Sequence, residues 1–248
     1  MPNIEDELIQ EIVLEGCKLR LYTSPSLFLP NATSRLFTKA IRIESGDIVF
    51  DIGSGVGPIA IWAAKKESAH VYAVEVVDRQ CDLLRRNAEL NEVSHKIEVL
   101  NSSLFNSIPD NVKADVLVAD LSGIAERPGR LLGWYPPAVP TGGEDGAEVI
   151  VDLLNQAGSY LSARGRLYFP IASGLSNEDR IIQAAEKNFG RIEQKVDVNF
   201  PISRDKGNEL LSCADSFIHL TRRSKTSEAR AFSWRGLIFE ASLPVNAN

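Results

Sequence analysis

Apolar and polar positions change period along this chain, and each change predicts an element. Residues 9–29 read as extended: KLRLY alternates, with Leu19 and Leu21 on one face. NATSRLFTKAI then switches to helical spacing through Leu36, Phe37, Ala40 and Ile41, with Asn31, Thr33 or Ser34 placed to cap it. From Asp47 strand and helix patterns alternate. DIVFDIG is a strand, and PIAIWAAKK is a helix opened by Pro58, where a missing N–H costs least. HVYAVEV, KIEVLN and ADVLVAD are the next strands, and DRQCDLLRRNAELN is the helix between the first two of them. These four strands are nearly unbroken Val/Ile/Leu/Ala runs, as in strands covered on both faces. The rhythm predicts an α/β fold around a right-handed parallel sheet.

Leu121 to Gly146 holds four Pro and six Gly and reads as a loop with its own turns. A helix follows from Ala147, with Asp145 and Glu148 spaced as a capping box and Ile150, Leu153, Leu154 and Ala157 in its apolar stripe. GRLYFPIA is a fifth strand, SNEDRIIQAAEKNF a helix, and RIEQKVDVNF and SWRGLIFEASL are the last two strands. The pattern assigns nothing to residues 201–233. The expectation is a mainly parallel seven-stranded sheet with helices on both faces, residues 43–248, preceded by an extended segment and helix, residues 1–42, packed against it.

Composition narrows the function classes. The 248 residues are 44% apolar and 24% charged, an ordinary globular balance. A net charge of −6 argues against a protein that works by non-specific phosphate binding. Cys17, Cys81 and Cys213 lack metal-type spacing and read as free thiols of a reducing compartment. His70, His95 and His219 are equally scattered, so no metal site and no Ser-His-Asp set is expected. The acidic N-terminal sequence has no apolar signal core, and no stretch approaches 18 apolar residues. A soluble, cytoplasmic protein without membrane contact is expected.

The chemistry concentrates in Asp51-Ile52-Gly53-Ser54-Gly55-Val56-Gly57-Pro58, between a strand and a helix. Glycines there let the backbone turn sharply and approach a ligand at the helix N-terminus. A dinucleotide fingerprint needs a glycine where Pro58 stands. Asp51 at the mouth of the turn would repel a pyrophosphate but suits the ammonium group of a zwitterionic sulfonium ligand. The loop therefore favours S-adenosylmethionine over NAD. Glu75, 22 residues after Gly53, ends the second strand where a carboxylate can accept both ribose hydroxyls of an adenosine.

With these residues in place, VFDIGSGVGPIAIWAAK, VYAVEV and RRNAELNEV resemble the first half of a class I S-adenosylmethionine-dependent methyltransferase, with its Rossmann-like fold. They are most similar to the group containing protein glutamine, ribosomal RNA and tRNA methyltransferases, whose Asn-Ala-x-x-Asn matches residues 87–91. The similarity covers roughly residues 25–172. It implies that Asp51, Gly53, Ser54, Gly55 and Gly57 cradle the methionine end. It also implies that Glu75 binds the ribose, Val76 lies beside the adenine, and Ser103 and Leu104 stand where the group often has an acid for the adenine amine. S-adenosylhomocysteine would be the product.

The pattern departs from that group after the fourth strand. Members that methylate planar nitrogens carry Asn/Asp-Pro-Pro-Tyr/Phe there; this chain keeps Asp120 but continues Leu-Ser-Gly. Asp120 is expected to contact the methionine end of the cofactor or the acceptor, as an orienting or proton-accepting residue, or alternatively to support the loop. Trp134 and Tyr135, in the Gly/Pro-rich loop, are expected to line a lid over the acceptor or to anchor that loop. TRRSKTSEARAFSWR, residues 221–235, reads as a solvated basic segment, or as a phosphate-binding one with Phe232 and Trp234 interleaved. The acceptor stays open between a small molecule and a protein or RNA group, as does the oligomeric state. A non-catalytic cofactor-binding scaffold and an NAD-dependent oxidoreductase are the competing readings.

Overall fold

The computed structural model describes residues 7–27, 32–68, 70–135, 139–212, 217–222 and 231–245. Within the stretch 9–29 expected to be extended, the described residues do not run as one strand. They fold as a hairpin of β1 (Leu8–Leu14) and β2 (Cys17–Thr23). Glu15 and Gly16 both take positive φ, 43° and 78°, which is the backbone sense that matches the twist of two antiparallel strands. Helix α1 spans Ala32–Ala40, so Thr33 and Ser34 lie inside it and do not cap it; Asn31 falls outside the described residues.

The sheet takes its parallel strands from β3 (Ile48–Ile52), β4 (His70–Glu75), β5 (Ile97–Asn101), β6 (Ala114–Ala119) and β7 (Leu161–Ser173). Strand β8 (Phe189–Ile202) and the antiparallel β10 (Phe232–Pro244) complete the order β5-β4-β3-β6-β7-β10-β8. The seven expected strands are all present. The two-residue β9 (Thr221–Arg222), which the pattern did not assign, adds an eighth on β10.

Neighbouring strand residues point to opposite faces, and each face has its own core. Val49, Val71, Val116, Tyr168 and Ile238 pack under α1, α2 (Pro58–Lys65) and α3 (Asp78–Leu90). Phe50, Leu117, Phe169 and Leu237 pack under α5 (Glu148–Ala157) and α6 (Glu178–Asn188). That explains the unbroken apolar runs of the parallel strands.

The hairpin is fastened to α3 by two asparagines. Asn87 Oδ1 accepts from the Tyr22 amide at 2.6 Å, and its Nδ2 donates to the carbonyls of Tyr22 (3.0 Å) and Val56 (2.9 Å). One turn on, Asn91 Oδ1 accepts from the Arg20 amide at 3.2 Å and its Nδ2 donates to the Arg20 carbonyl at 2.7 Å. Each amide side chain stands in for a neighbouring strand, satisfying both backbone groups of one β2 residue.

Three further expectations change. The Pro/Gly-rich stretch contains a short helix, α4 (Glu126–Leu131). The capping box before α5 is displaced by one residue: Asp145 Oδ1 accepts from the Ala147 amide (3.0 Å), and Glu148 Oε1 accepts from the Glu144 amide (2.8 Å). The cause is the positive φ of Gly146 (76°), which turns the chain before the helix begins. The unassigned stretch holds α7 (Arg204–Leu211), capped by Ser203. Among the described residues no helix is long and apolar enough to cross a membrane. Cys17 and Cys81 are free thiols; Cys213 lies outside the described residues.

Candidate functional site

The carboxyl edge of the parallel strands opens into a cavity of about 680 Å³, within the range of small-molecule sites. Sheet order divides it. One half lies over β3, β4 and β5, and the other over β6, β7, β10 and β8, whose edge strands bring residues from far along the chain.

In the first half, β3 ends at Ile52 and the chain turns through three glycines of positive φ: Gly53 at 79°, Gly55 at 55° and Gly57 at 91°. The amides of Gly53 and Ser54 donate to the Val74 carbonyl (2.8 and 3.0 Å), stitching the turn to β4. Gly53 and Gly55 line the cavity. A Cβ on Gly53 would come 2.7 Å from Leu121 Cδ2 and 3.2 Å from the Asp120 carbonyl, so a bare backbone lets the two loops touch. Gly57 has a different duty. It is the N-cap of α2, and a Cβ there would meet Leu84 Cγ at 2.7 Å. Ser54 is also turned inward, its hydroxyl donating to the Val74 carbonyl at 3.2 Å. The glycine run therefore splits into a wall, Gly53 and Gly55, and a support behind it, Ser54 and Gly57.

Asp51 lies beneath this turn and is fully buried. Neither carboxylate oxygen reaches hydrogen-bonding geometry with any described residue. Burial pushes its pKa well up, and the nearby charge of Asp120 adds to this; the Ala60 amide, in the first turn of α2, pulls the other way. Such a group stays protonated unless a cation pairs with it, and Asp51 itself lies behind the residues that line the cavity. Glu75 is held differently: Oε2 accepts from the Gly55 amide (2.9 Å) and Oε1 from the Val77 amide (2.8 Å). These bonds fix the carboxylate and leave each oxygen a lone pair for a pair of hydroxyls. Burial still holds its pKa above the usual range. Val76, 52% exposed, and Ser103 and Leu104 border the same half. Leu104 takes a positive φ of 48°, which turns the chain just after β5.

Asp120, at the end of β6, sits where the halves meet. Its Oδ2 accepts a hydrogen bond from Ser34 of α1 at 3.0 Å, and burial raises its pKa to about 6. Trp134 and Tyr135 line the second half. Tyr135 is buried, with its pKa pushed up to about 12 by burial. Trp134 packs on Trp234 of β10 at 5.7 Å, and Trp234 stacks on Phe200 of β8 at 4.6 Å. Of the two aromatics interleaved in the basic segment, only Trp234 lines the cavity. Phe232 is core, Trp234 is held between rings, and Arg235 pairs with Asp197 at 2.6 Å. Residues 223–230 of that segment, and Pro136 and Pro137, lie outside the described residues.

Sequence reasoning missed Ser34, Gln80, Phe200 and Trp234 as lining or supporting residues. Gln80, in the first turn of α3, borders the cavity with its Oε1 unpartnered among the described residues. The available signal was the position of a helix start directly after Glu75. Phe200 and Trp234 face each other across the β8–β10 register, which no local pattern shows.

The chain is similar to known methyltransferases. Residues 11–127 match the TRM5/TYW2 methyltransferase domain. A putative protein N5-glutamine methyltransferase of Methanocaldococcus jannaschii is 26% identical over 190 residues, covering 77% of this chain and 93% of the relative. A tRNA (guanine(37)-N(1))-methyltransferase of Xenopus tropicalis is 32% identical over 110 residues; this covers 42% of the chain but only 22% of that longer protein. Among solved structures, a ribosomal protein L11 methylase from Lactobacillus delbrueckii aligns with a TM-score of 0.55 at 20% identity. That alignment covers 90% of this chain and 85% of the other.

Proposed function

We propose that this chain, a class I S-adenosylmethionine-dependent methyltransferase, holds its cofactor over β3–β5 and its acceptor over β6–β8, with Asp120 between them. The observation that carries the reading is the fully buried, unpartnered Asp51 carboxyl beneath a cavity-lining glycine turn. It fits the ammonium of the methionine moiety, and Glu75, with both oxygens oriented by backbone amides, fits two ribose hydroxyls. Gly53 and Gly55 let the backbone approach the ligand, and Ser54 and Gly57 keep the turn in shape. Val76, Ser103 and Leu104 border the space for the adenine, where a serine hydroxyl replaces the acid of related proteins.

Bound there, S-adenosylmethionine would supply an electrophilic methyl on its sulfonium and leave as S-adenosylhomocysteine. The chain's task is alignment and proton removal. Asp120, with a pKa of about 6, is ionised at pH 7 and takes the proton that the acceptor loses; Ser34 fixes its orientation. Leu27 and Leu36, which precede the proposed 43–248 domain, line one wall of the cavity. Free thiols at Cys17 and Cys81 suit a reducing compartment, and the cytoplasm is the proposed location.

Calorimetric titration with S-adenosylhomocysteine, with NAD in parallel, tests the cofactor assignment. Micromolar binding of the former alone is expected. Asp51→Ala should weaken it by about 1.5–3 kcal/mol, the worth of a hydrogen bond to a charged group. An unchanged affinity would remove Asp51 from the site, and silence from both ligands would sink the reading.

A further inference from the structure

We propose that the acceptor is a small, flat, uncharged ring carrying an N–H, and that the aromatic wall of Phe200, Trp234, Trp134 and Tyr135 receives it with its N–H directed at Asp120. The inference rests on the methyltransferase reading and names its acceptor class.

The wall is built, not incidental. Phe200 and Trp234 are direct cross-strand partners of β8 and β10. Their rings stack at 4.6 Å with 21° between planes. Phe200 lies across Gly236, where a Cβ would come 2.5 Å from its Cε2; only a glycine lets the ring lie there. Tyr135 is seated in the same manner on Gly129 of α4, where a Cβ would come 2.6 Å from its Cδ2. Trp134 then joins the loop to the sheet through Trp234. Four rings from three distant segments therefore converge on one end of the cavity, and two of them depend on the absence of a side chain beneath them. A flat ring gains contact area and ring–ring geometry on such a surface.

Charge selects among flat rings. Among the described residues lining the cavity there is no Lys, Arg or His; its charged members are the acids Glu75 and Asp120. Arg235, the nearest cation in sequence to the wall, is paired with Asp197. A phosphate or carboxylate on the acceptor would enter a low-dielectric space whose described lining residues hold like charge and no counter-charge. An N–H finds an acceptor in Asp120, and the transfer balances there. The ring nitrogen's lone pair forms the bond to the methyl carbon, the C–S bond breaks towards sulfur, and the nitrogen's proton passes to the Asp120 carboxylate and then to water.

The test follows tryptophan fluorescence with the protein saturated in S-adenosylhomocysteine. Indole and guanosine are titrated against indole-3-carboxylate and guanosine 5′-monophosphate, and a single-stranded RNA oligonucleotide forms a separate arm. The neutral rings should quench at least tenfold more tightly than their anionic counterparts. Trp234→Phe should weaken them severalfold. Gly236→Ala, which drives Phe200 from its seat, should weaken them about tenfold, with circular dichroism reporting that the fold is kept. Equal binding of neutral and anionic rings would overturn the proposal, as would absence of binding by any neutral ring. Gly236-dependent binding of the oligonucleotide alone would also overturn it, in favour of an RNA acceptor. The saturation step separates the two levels: failure to bind S-adenosylhomocysteine defeats the cofactor reading, whereas its success followed by ring failure defeats only the acceptor class.

Discussion

Replacing Asp120 with Asn should stabilise the protein without cofactor, increasingly as pH rises above about 4. The carboxyl lies deep in the fold and its pKa rises from 3.8 to about 6, chiefly through burial, while the Ser34 hydrogen bond holds it back from rising further. The folded chain thus binds this proton more tightly than the unfolded chain does. Stability falls as pH climbs from about 4 to about 6 and stays lower above that. Two pKa units correspond to ~3 kcal/mol. Asp120 also borders the cavity, whose water screens it, so an effect of about 1–2 kcal/mol is the better expectation. Asn keeps the acceptor for Ser34 and removes the charge that helps to raise the pKa of Asp51, so the variant gains from both. Urea unfolding of the two proteins, from about pH 3.5 to about pH 8 at fixed ionic strength, reads the difference directly, because groups common to both cancel. The stabilities should converge at the acid end and separate by about 1–2 kcal/mol at pH 7. Parallel curves, or a variant less stable at pH 7, would refute the claim that burial of this charge costs the fold energy.

The split of the glycine run gives a second expectation. Gly53→Ala and Gly57→Ala should each cost about 1–3 kcal/mol through strained positive φ. Gly53→Ala, which presses on Leu121 and the Asp120 carbonyl, should also lose tenfold or more in S-adenosylhomocysteine affinity. The Gly57 variant should lose proportionally more stability than affinity, and calorimetry that found equal affinity losses would contradict the division. Asn87→Ala should cost about 2–4 kcal/mol in chemical unfolding, because the Tyr22 amide and the carbonyls of Tyr22 and Val56 lose their partner together. Asn87→Asp should be no better, since it sets a carboxylate against two carbonyl oxygens; a stability near that of the native protein would show that the hairpin is held by packing alone.

How much of this was legible depended on distance along the chain. Strands β3 to β6 and helices α2 and α3 were readable because strand covering and helix amphipathicity are local periodicities. The acid–glycine turn was readable because a positive-φ turn between a strand and a helix needs its residues in sequence. The β1–β2 turn was missed because Glu15-Gly16 is a weaker hairpin signal than Asn-Gly, although it reaches the same backbone conformation. Residues 201–233 were unreadable because α7 is a short helix with few apolar positions and β9 pairs for only two residues.

The candidate site divides along the same line. By itself the sequence determined the sheet's parallel half, the glycine turn and the acids Asp51, Glu75 and Asp120 at its edge, because these lie at strand ends that local pattern locates. It did not determine that Gly57 packs on Leu84 while Gly53 faces the cavity, since both are glycines of one motif with opposite surroundings. Nor did it show that Asn87 and Asn91 fasten a hairpin some 65 to 71 residues away. The aromatic wall belongs wholly to tertiary structure. Phe200 and Trp234 meet through the register of two antiparallel strands, and Trp134 reaches them from a loop. Contacts between segments so far apart are fixed only when the sheet closes and the rings compete for one buried surface.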